Sequence, residues 1–467
     1  MMLCDQMEYP KLRQRAEVLL IRGTIQLKEL LLAIIFASST WIAQASDHKS
    51  REPIGATGGL TKLSLNEVIA SVLQHNPLIQ SAEAKWKAAE KRVPQAGAWE
   101  DPKFSVSTVL GRFVSIPANG FTDQMVSVEQ MIPLSGKNRS KERAAAAEAL
   151  QALEEARRQE LDVVAKAKSS YYRLASLYQL LDLNRADEVS LVQSRDATQA
   201  KFEVGTQGQA DLLMADNERQ KVIEARKDLE QKVSDEQSSL NVLMNRDPFA
   251  PLGRPSENKE NSLAASPERL RQLILANRPE VREAQAMLTA AKAKEELAKR
   301  EWIPDPTLSV QAQRYNAASQ LVSDVGGGVS FNLPWLNGKK YRAEEAEAQR
   351  EVDAASAALV SAQTEAVGLL RNQLQKIETL HHHMELYRDN LLPTARRTVD
   401  SYRADYEGNK TTLLTLLSAQ RDLFELEKMY YQDLGDYQVS QAELEALVGL
   451  GQKNSAVGKS TVGDRGP

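Results

Sequence analysis

The chain has 467 residues, of which 5% are aromatic, with 23 glycines and 17 prolines; long stretches of Ala, Glu, Gln, Leu, Lys and Arg give it the profile of long helices and coiled coils and argue against one large compact core. Lys and Arg number 59 against 63 Asp and Glu, a formal charge of −4, which leaves no basic field for nucleic acid and no acidic tail. The single cysteine, Cys4, excludes a disulfide framework, a thiolate metal site and a cysteine nucleophile from the rest of the chain.

Residues 1–45 read as a secretory signal peptide. Lys11, Arg13, Arg15, Arg22 and Lys28 precede the apolar run LLLAIIFASSTWIA at 30–43, and AQA at 43–45 supplies small residues for cleavage. A membrane anchor is the rival reading, but the run falls short of the ~20 apolar residues a bilayer span needs. Cys4 lies before the run, so it is not placed as a lipid-attachment site. An extended segment, 46–62, is expected to follow.

From residue 63 the chain reads twice. Pro77 is matched by Pro279 at 202 residues, Pro102 by Pro306 at 204, and Pro133 by Pro334 at 201; offsets this steady mark a duplication. Each repeat, 63–245 and 267–449, predicts a helix (65–98; 267–301), two short strands (103–113 and 121–133; 306–315 and 323–334) and a long helical hairpin (137–245; 338–449). The Pro-, Ser- and Asn-rich stretch 246–266 is the expected crossover. The polar tail 450–467 is expected to be disordered.

The strands alternate. Phe104, Val106, Thr108 and Leu110 share a face, as do Val126, Val128 and Ile132, then Leu308, Val310 and Ala312, and Val325, Val329, Phe331 and Leu333. Segments of about 9–11 residues, apolar on one side, fit transmembrane β-strands. Four strands cannot close on themselves, and an open sheet edge in hydrocarbon costs several kcal/mol per unpaired group. Several chains must therefore complete one barrel, three giving twelve strands or two giving eight.

Behind each strand pair comes a junction, EQMIPLSGKNR at 129–139 and SFNLPWLNGKKYR at 330–342. Pro133 and Pro334 are expected to end the strands, since proline cannot extend a ladder. Gly136-Lys137 and Gly338-Lys339 are expected to turn the chain into the long helices. Between Pro133 and Pro248 there is no proline, so one helix over 137–204 is predicted, roughly 100 Å long at 1.5 Å per residue. Its apolar residues step by sevens, with Val164, Tyr171 and Tyr178 in one row and Ala167, Leu174 and Leu181 in another; Leu370, Ile377, Met384 and Leu391 repeat the pattern. Hinges are expected at Gly205 and Gly408, giving two antiparallel helix pairs per chain and a protruding helical tube on assembly. The fold class is therefore mainly α with a small β part.

Enzyme chemistry finds no support. The histidines are His48, His75, His381, His382 and His383, and no nucleophilic triad, HExxH, phosphate loop or dinucleotide fingerprint accompanies them. Neighbouring helical residues point about 100° apart, so the triplet is a poor chelator. Glu378, His382 and Glu385 share a face as a weak metal candidate, while His381, four residues after Ile377, is expected in the heptad seam. No cofactor is expected.

The signal peptide, the duplicated order of helix, two strands and long helix, and above all the IPLSGKNR and LPWLNGKKYR junctions resemble the TolC-type outer membrane efflux factors, most of all the heavy-metal branch typified by CusC and CzcC. The resemblance implies a homotrimer with a twelve-stranded barrel in outer membrane lipid and a coiled-coil α-barrel in the periplasm. It also implies docking on a membrane-fusion adaptor and an inner-membrane pump of the resistance-nodulation-division (RND) type. The expected role is a duct for heavy-metal cations or small toxic compounds; multidrug efflux and type I secretion are the alternatives of the same fold, and a soluble coiled-coil scaffold is the rival of another class. In that family the hairpin tips carry a YxVG signature for the adaptor. Here KFEVGTQGQADLL offers Phe202, Val204, Gly205 and Thr206, and DYEGNKTTLLTLL offers Tyr406 and Gly408. The second tip lacks the Val-Gly pair and has Leu414 where an acid is expected, so a periplasmic constriction would rest on Asp211 or Asp216.

Overall fold

A computed structural model describes residues 62–110, 121–256, 266–315 and 319–449. The expected signal peptide, the segment 46–61, the strand end at 111–113, crossover residues 257–265 and the tail 450–467 lie outside the described residues.

Each repeat opens with two helices where one was expected: α1 (Leu65–His75) and α2 (Pro77–Gly97), then α5 (Pro267–Asn277) and α6 (Pro279–Arg300). The break has a local cause. A residue preceding proline is pushed out of the helical region, and Asn76 (ψ 122°) and Arg278 (ψ 124°) are both extended. Asn76 turns its break into a clamp. Its Oδ1 accepts from Leu78 N at 2.9 Å, and its Nδ2 donates to Leu243 O at 2.8 Å, fixing the break to the end of a later helix.

Four strands, β1 (Lys103–Thr108), β2 (Thr122–Met131), β3 (Thr307–Tyr315) and β4 (Asp324–Ser330), form one antiparallel sheet in chain order. The hairpins have the same register, with Lys103 opposite Glu129 in the first and Thr307 opposite Ser330 in the second. The second hairpin is thus the first displaced by 204 residues on one strand and 201 on the other. β2 stops two residues before Pro133, and β4 ends at Ser330, short of the expected 334. The reason lies in the neighbours: beyond β2, Ile132 N still donates to Pro306 O at 2.9 Å, whereas β4 loses its only described partner once β3 ends.

Long helices carry the rest. α3 (Lys137–Glu203, 67 residues) returns as α4 (Gln209–Leu243). In the second repeat α7 (Gly338–Leu386) passes through a π-helical turn at Tyr387–Leu391 into α8 (Leu392–Glu407), which returns as α9 (Leu413–Leu447). Pro393 has no N–H for the carbonyl four residues back, which favours a wider turn at this point. The extra residue moves the heptad frame by one: the buried row runs Leu370 and Met384, then Leu392, Val399 and Tyr406. Leu391, expected in that row, is accordingly displaced to the surface. In α3 the buried stripe is Val163, Ala167, Tyr171, Leu174 and Leu181, so Val163 takes the place expected for Val164.

Of the three hydrophobic clusters among the described residues, two repeat the duplication. Val68, Val72, Ile79, Val163, Ala167, Leu240 and Met244 pack together in the first repeat; Leu270, Ile274, Val281, Ala366, Leu370, Leu444 and Val448 do so in the second. Each is the same nucleus, a broken short helix wedged between a long helix and its returning partner. The third cluster, at the hairpin tips, joins the repeats through Leu191, Ala215, Tyr406, Leu413, Leu416 and Leu417.

Candidate functional site

The sheet is the first unusual surface. Cross-strand partners lie on the same face, so the register aligns Phe104, Val128 and Val310 in one row and Val106, Val126, Ala312 and Val325 in the next. This apolar face is open: Phe104 is 67% exposed, Val106 64% and Val325 66%. The other face carries Ser105, Ser127, Glu129, Ser309, Gln311 and Asp324. Among the described residues, the outer edges of β1 and β4 have no partner strand. No described helix is long and apolar enough to cross a membrane; that says nothing of a β-barrel.

The strand-to-helix junctions are the second feature, and they are not equivalent. At the first, Gly136 takes a left-handed conformation (φ 74°), and a Cβ there would lie 2.6 Å from Arg300 Nη1, which donates to Ser135 O at 3.0 Å. Asp305 accepts from Ser135 N at 2.7 Å and Ser135 Oγ at 2.8 Å, with Lys137 Nζ at 3.5 Å; Lys137 also meets Glu301 at 3.1 Å. Burial alone would raise the Asp305 carboxyl, but the two Ser135 bonds and the Lys137 ammonium hold it below its ordinary value. At the second junction Pro334–Asn337 forms a single 3₁₀ turn and Gly338 is ordinary right-handed helix (φ −60°). Lys339 is exposed. Sequence alone assigns neither Asp305 nor Ser135 a role: the Asp-Pro pair and the Ser of IPLSGK are visible in it, but their contact across 170 positions is made only by the fold.

The tips are the third. Gly205 (φ 73°) makes the first turn, but the second departs from the expected hinge: Gly408 has φ −79°, and Asn409 is the left-handed residue (φ 61°). Asparagine tolerates that region, so the shorter loop needs no glycine there. Phe202 and Val204 are exposed, Val204 at 74%, and Thr206 Oγ1 donates back to Lys201 O at 3.0 Å. Tyr406, expected with them at the docking surface, is 1% exposed. Its hydroxyl meets Thr198 Oγ1 at 2.8 Å, and Lys201 Nζ lies 4.1 Å from its ring centroid, donates to its carbonyl and donates to Asn409 Oδ1 at 2.7 Å. Tyr406 therefore fastens one tip to the other instead of presenting a docking side chain. Burial, offset in part by the Thr198 bond and reinforced by the charge of Asp211, pushes its phenol up.

Of the two acids, Asp216 is paired with Arg195 Nε at 3.1 Å, while Asp211 accepts from Gln207 Nε2 in the first turn of α4. Farther up the bundle, burial and the neighbouring charges of Glu427 and Glu218 raise Asp187 to about 6. The histidines do not converge. His381 is exposed, with its ring 6.0 Å from Tyr437 and its Nδ1 3.7 Å from Glu385, instead of filling the seam; His383 Nδ1 lies 3.4 Å from Asp433, and the His382 ring lies 6.5 Å from that of His383. No group of three or more metal-ligating side chains occurs among the described residues.

An apolar-faced sheet with open edges, standing on duplicated helices of this length, is an arrangement that comparison with known proteins places directly. The family model for outer membrane efflux proteins matches residues 68–246 and 270–450. The chain belongs to the outer membrane efflux protein family. This is a family of transport channels, and its model matches twice, once on each repeat. The chain is 24% identical over 307 residues to the antibiotic efflux pump outer membrane protein ArpC of Pseudomonas putida, an alignment that covers 64% of this chain and 63% of that relative. Less than two-thirds of the relative's length is therefore spanned. The fold is that of solved channels: VceC from Vibrio cholerae superposes with a TM-score of 0.70 at 18% identity, covering 82% of this chain and 96% of that one. CusC, solved as a transmembrane channel, gives 0.69 at 16% identity, covering 86% and 96%. At these identities the likeness shows the fold alone.

Proposed function

We propose that this chain is the outer membrane duct of a tripartite efflux system. Three copies, each contributing four strands, close a twelve-stranded barrel in outer membrane lipid, and their helical hairpins form a tunnel through the periplasm. The carrying observation is the four-stranded sheet with an exposed apolar face and two edges that have no partner strand among the described residues, a surface that is costly in water and stable only when closed and placed in lipid. The tips receive a periplasmic adaptor at Phe202, Val204, Gly205, Thr206 and Gly408, with an RND-type pump beyond it. No bond chemistry and no cofactor enter. Transport is gated diffusion, in which the adaptor favours a splayed tip by binding it more tightly than the closed one. Asp211 is the better constriction candidate because Asp216 is engaged by Arg195.

The resemblance of the junctions supports heavy-metal cations as cargo; the description of ArpC as an antibiotic pump component supports organic solutes as a second reading. Two experiments test the proposal. Membrane fractionation should place the protein in the outer membrane as a heat-modifiable oligomer, and extraction by buffer alone would overturn the channel reading. A deletion strain should lose tolerance to Co, Zn, Cd, Cu or Ag; unchanged metal tolerance with increased drug sensitivity would move the cargo to organic solutes.

A further inference from the structure

The internal duplication specifies a contact that the single chain cannot make. Shifting β1 by 204 residues and β2 by 201 converts the first hairpin register into the observed second one. The same shifts can be applied to the seam between the repeats, β2 against β3, where Val128 faces Val310, Gln130 faces Leu308 and Gln124 faces Arg314. The image of that seam is β4 against β1 of another copy. It sets Val329 opposite the partner's Val106, Phe331 opposite the partner's Phe104, and Val325 opposite the partner's Leu110. Phe104, Val106, Val325 and Val329 lie in the strands, with Phe331 and Leu110 just beyond their ends, and all six are exposed, from 54% for Phe331 to 96% for Leu110. Nothing in the arithmetic required apolar residues to meet apolar ones; a one-residue slip would set each against the polar face.

The junction repeats the test with charge. Within the chain, Asp305 just before β3 binds Ser135 and Lys137 just after β2. The second junction has one residue more between its proline and glycine, so counting from the Asp-Pro pairs (204) and the Gly-Lys pairs (202) the images are Asp101, Asn337 and Lys339. Asp101 and Lys339 are both exposed and have no partner among the described residues. The two opposite charges are therefore left over at the two free edges, where the duplication predicts a pair.

We propose that the subunit seam of the barrel copies the seam between the repeats, with Val329, Phe331 and Val325 in register with the partner's Val106, Phe104 and Leu110, and Lys339 and Asn337 clasping the partner's Asp101. This rests on the assembly proposed above. It adds a register and an interfacial ion pair to it.

The register places Ser330 opposite the partner's Ser105, as Glu129 stands opposite Ser309 within the chain. Directly opposed residues have Cα atoms about 4.5–5.5 Å apart, within disulfide reach, whereas diagonal neighbours lie about 7–8 Å apart. In a full-length Cys4→Ser background, Ser105→Cys with Ser330→Cys should give a reductant-reversible covalent oligomer on denaturing gels. Ser107→Cys with Ser330→Cys, two residues out of register, should not. Cross-linking of the displaced pair alone, or of neither pair while native sizing still shows the oligomer, overturns the register and leaves the channel reading standing. A monomer in native sizing of the Cys4→Ser parent overturns both. Independently, Asp101→Lys and Lys339→Asp should each reduce the heat-resistant oligomer and together restore it; failure of the double variant to recover overturns the ion pair.

Discussion

Asp305 is where the two repeats are fastened at the first strand-to-helix junction, and its replacement by asparagine tests that reading. The side chain is 6% exposed and holds Ser135 by two hydrogen bonds, with Lys137 3.5 Å away. Asparagine keeps one acceptor for Ser135 N but turns the other oxygen into an NH₂ that faces Lys137. The charge-assisted contacts are lost, and bonds to charged groups contribute about 1.5–3 kcal/mol. Lys137 retains Glu301 at 3.1 Å, so the expected loss is near the middle of that range, about 2 kcal/mol. The pH dependence follows from the sign of the shift. The folded carboxyl titrates below its ordinary 3.8, so its contribution is present above that value and is lost as pH falls through the lowered one. Guanidinium unfolding of the detergent-solubilised protein, followed by tryptophan fluorescence, should show a wild-type advantage that is flat above about pH 5 and closes below about pH 4. Trp335 lies within the second junction, and Trp302, three residues before Asp305, packs on Tyr341 with ring centroids 5.5 Å apart, so both report on this region. A difference under about 0.5 kcal/mol, the size of an ordinary surface substitution, or one that persists unchanged at pH 3, would refute the reasoning.

The two junction glycines should respond oppositely. Gly136→Ala meets a left-handed backbone and the Arg300 guanidinium and should cost at least about 1–2 kcal/mol, whereas Gly338→Ala, in helical backbone with Trp302 at an ordinary 3.4 Å, should be neutral or stabilising by up to about 1 kcal/mol in the same unfolding assay. Tyr406→Phe removes the Thr198 bond from the tip and should cost about 1 kcal/mol, with a raised resting conductance in planar bilayers; unchanged conductance would separate Tyr406 from closure. Asp187→Asn should stabilise the protein at pH 8. The raised carboxyl gives stability that is complete below its ordinary 3.8 and lost as pH rises through about 6, so the advantage of the variant should shrink between pH 6 and 4. Asp211→Ala should raise resting conductance and reduce cation preference in the same bilayer recordings, and no change would remove Asp211 from the constriction.

What the sequence determined by itself is what depends on near neighbours. Proline positions repeated at nearly constant offsets exposed the duplication, and alternation marked the strand faces that the register later aligned. The proline-free stretch also located α3, since helical and extended preferences act within a few residues. The same local rule, read more closely, would have broken the first helix of each repeat at Asn76 and Arg278, because both precede proline. Other features needed the folded chain. The π turn at Tyr387–Leu391 moves Leu392, Val399 and Tyr406 into the row and Leu391 out of it, because one extra residue rotates everything beyond it. Tyr406 changed from a docking residue to a buried tie for that reason, and because Thr198 and Lys201 arrive from the other hairpin. Asp305 gained its role from Ser135, which only the pairing of β2 with β3 brings near. Contacts between residues so far apart along the chain depend on how the repeats pack, and the edges of β1 and β4, unpaired among the described residues, are where the proposed assembly continues that packing.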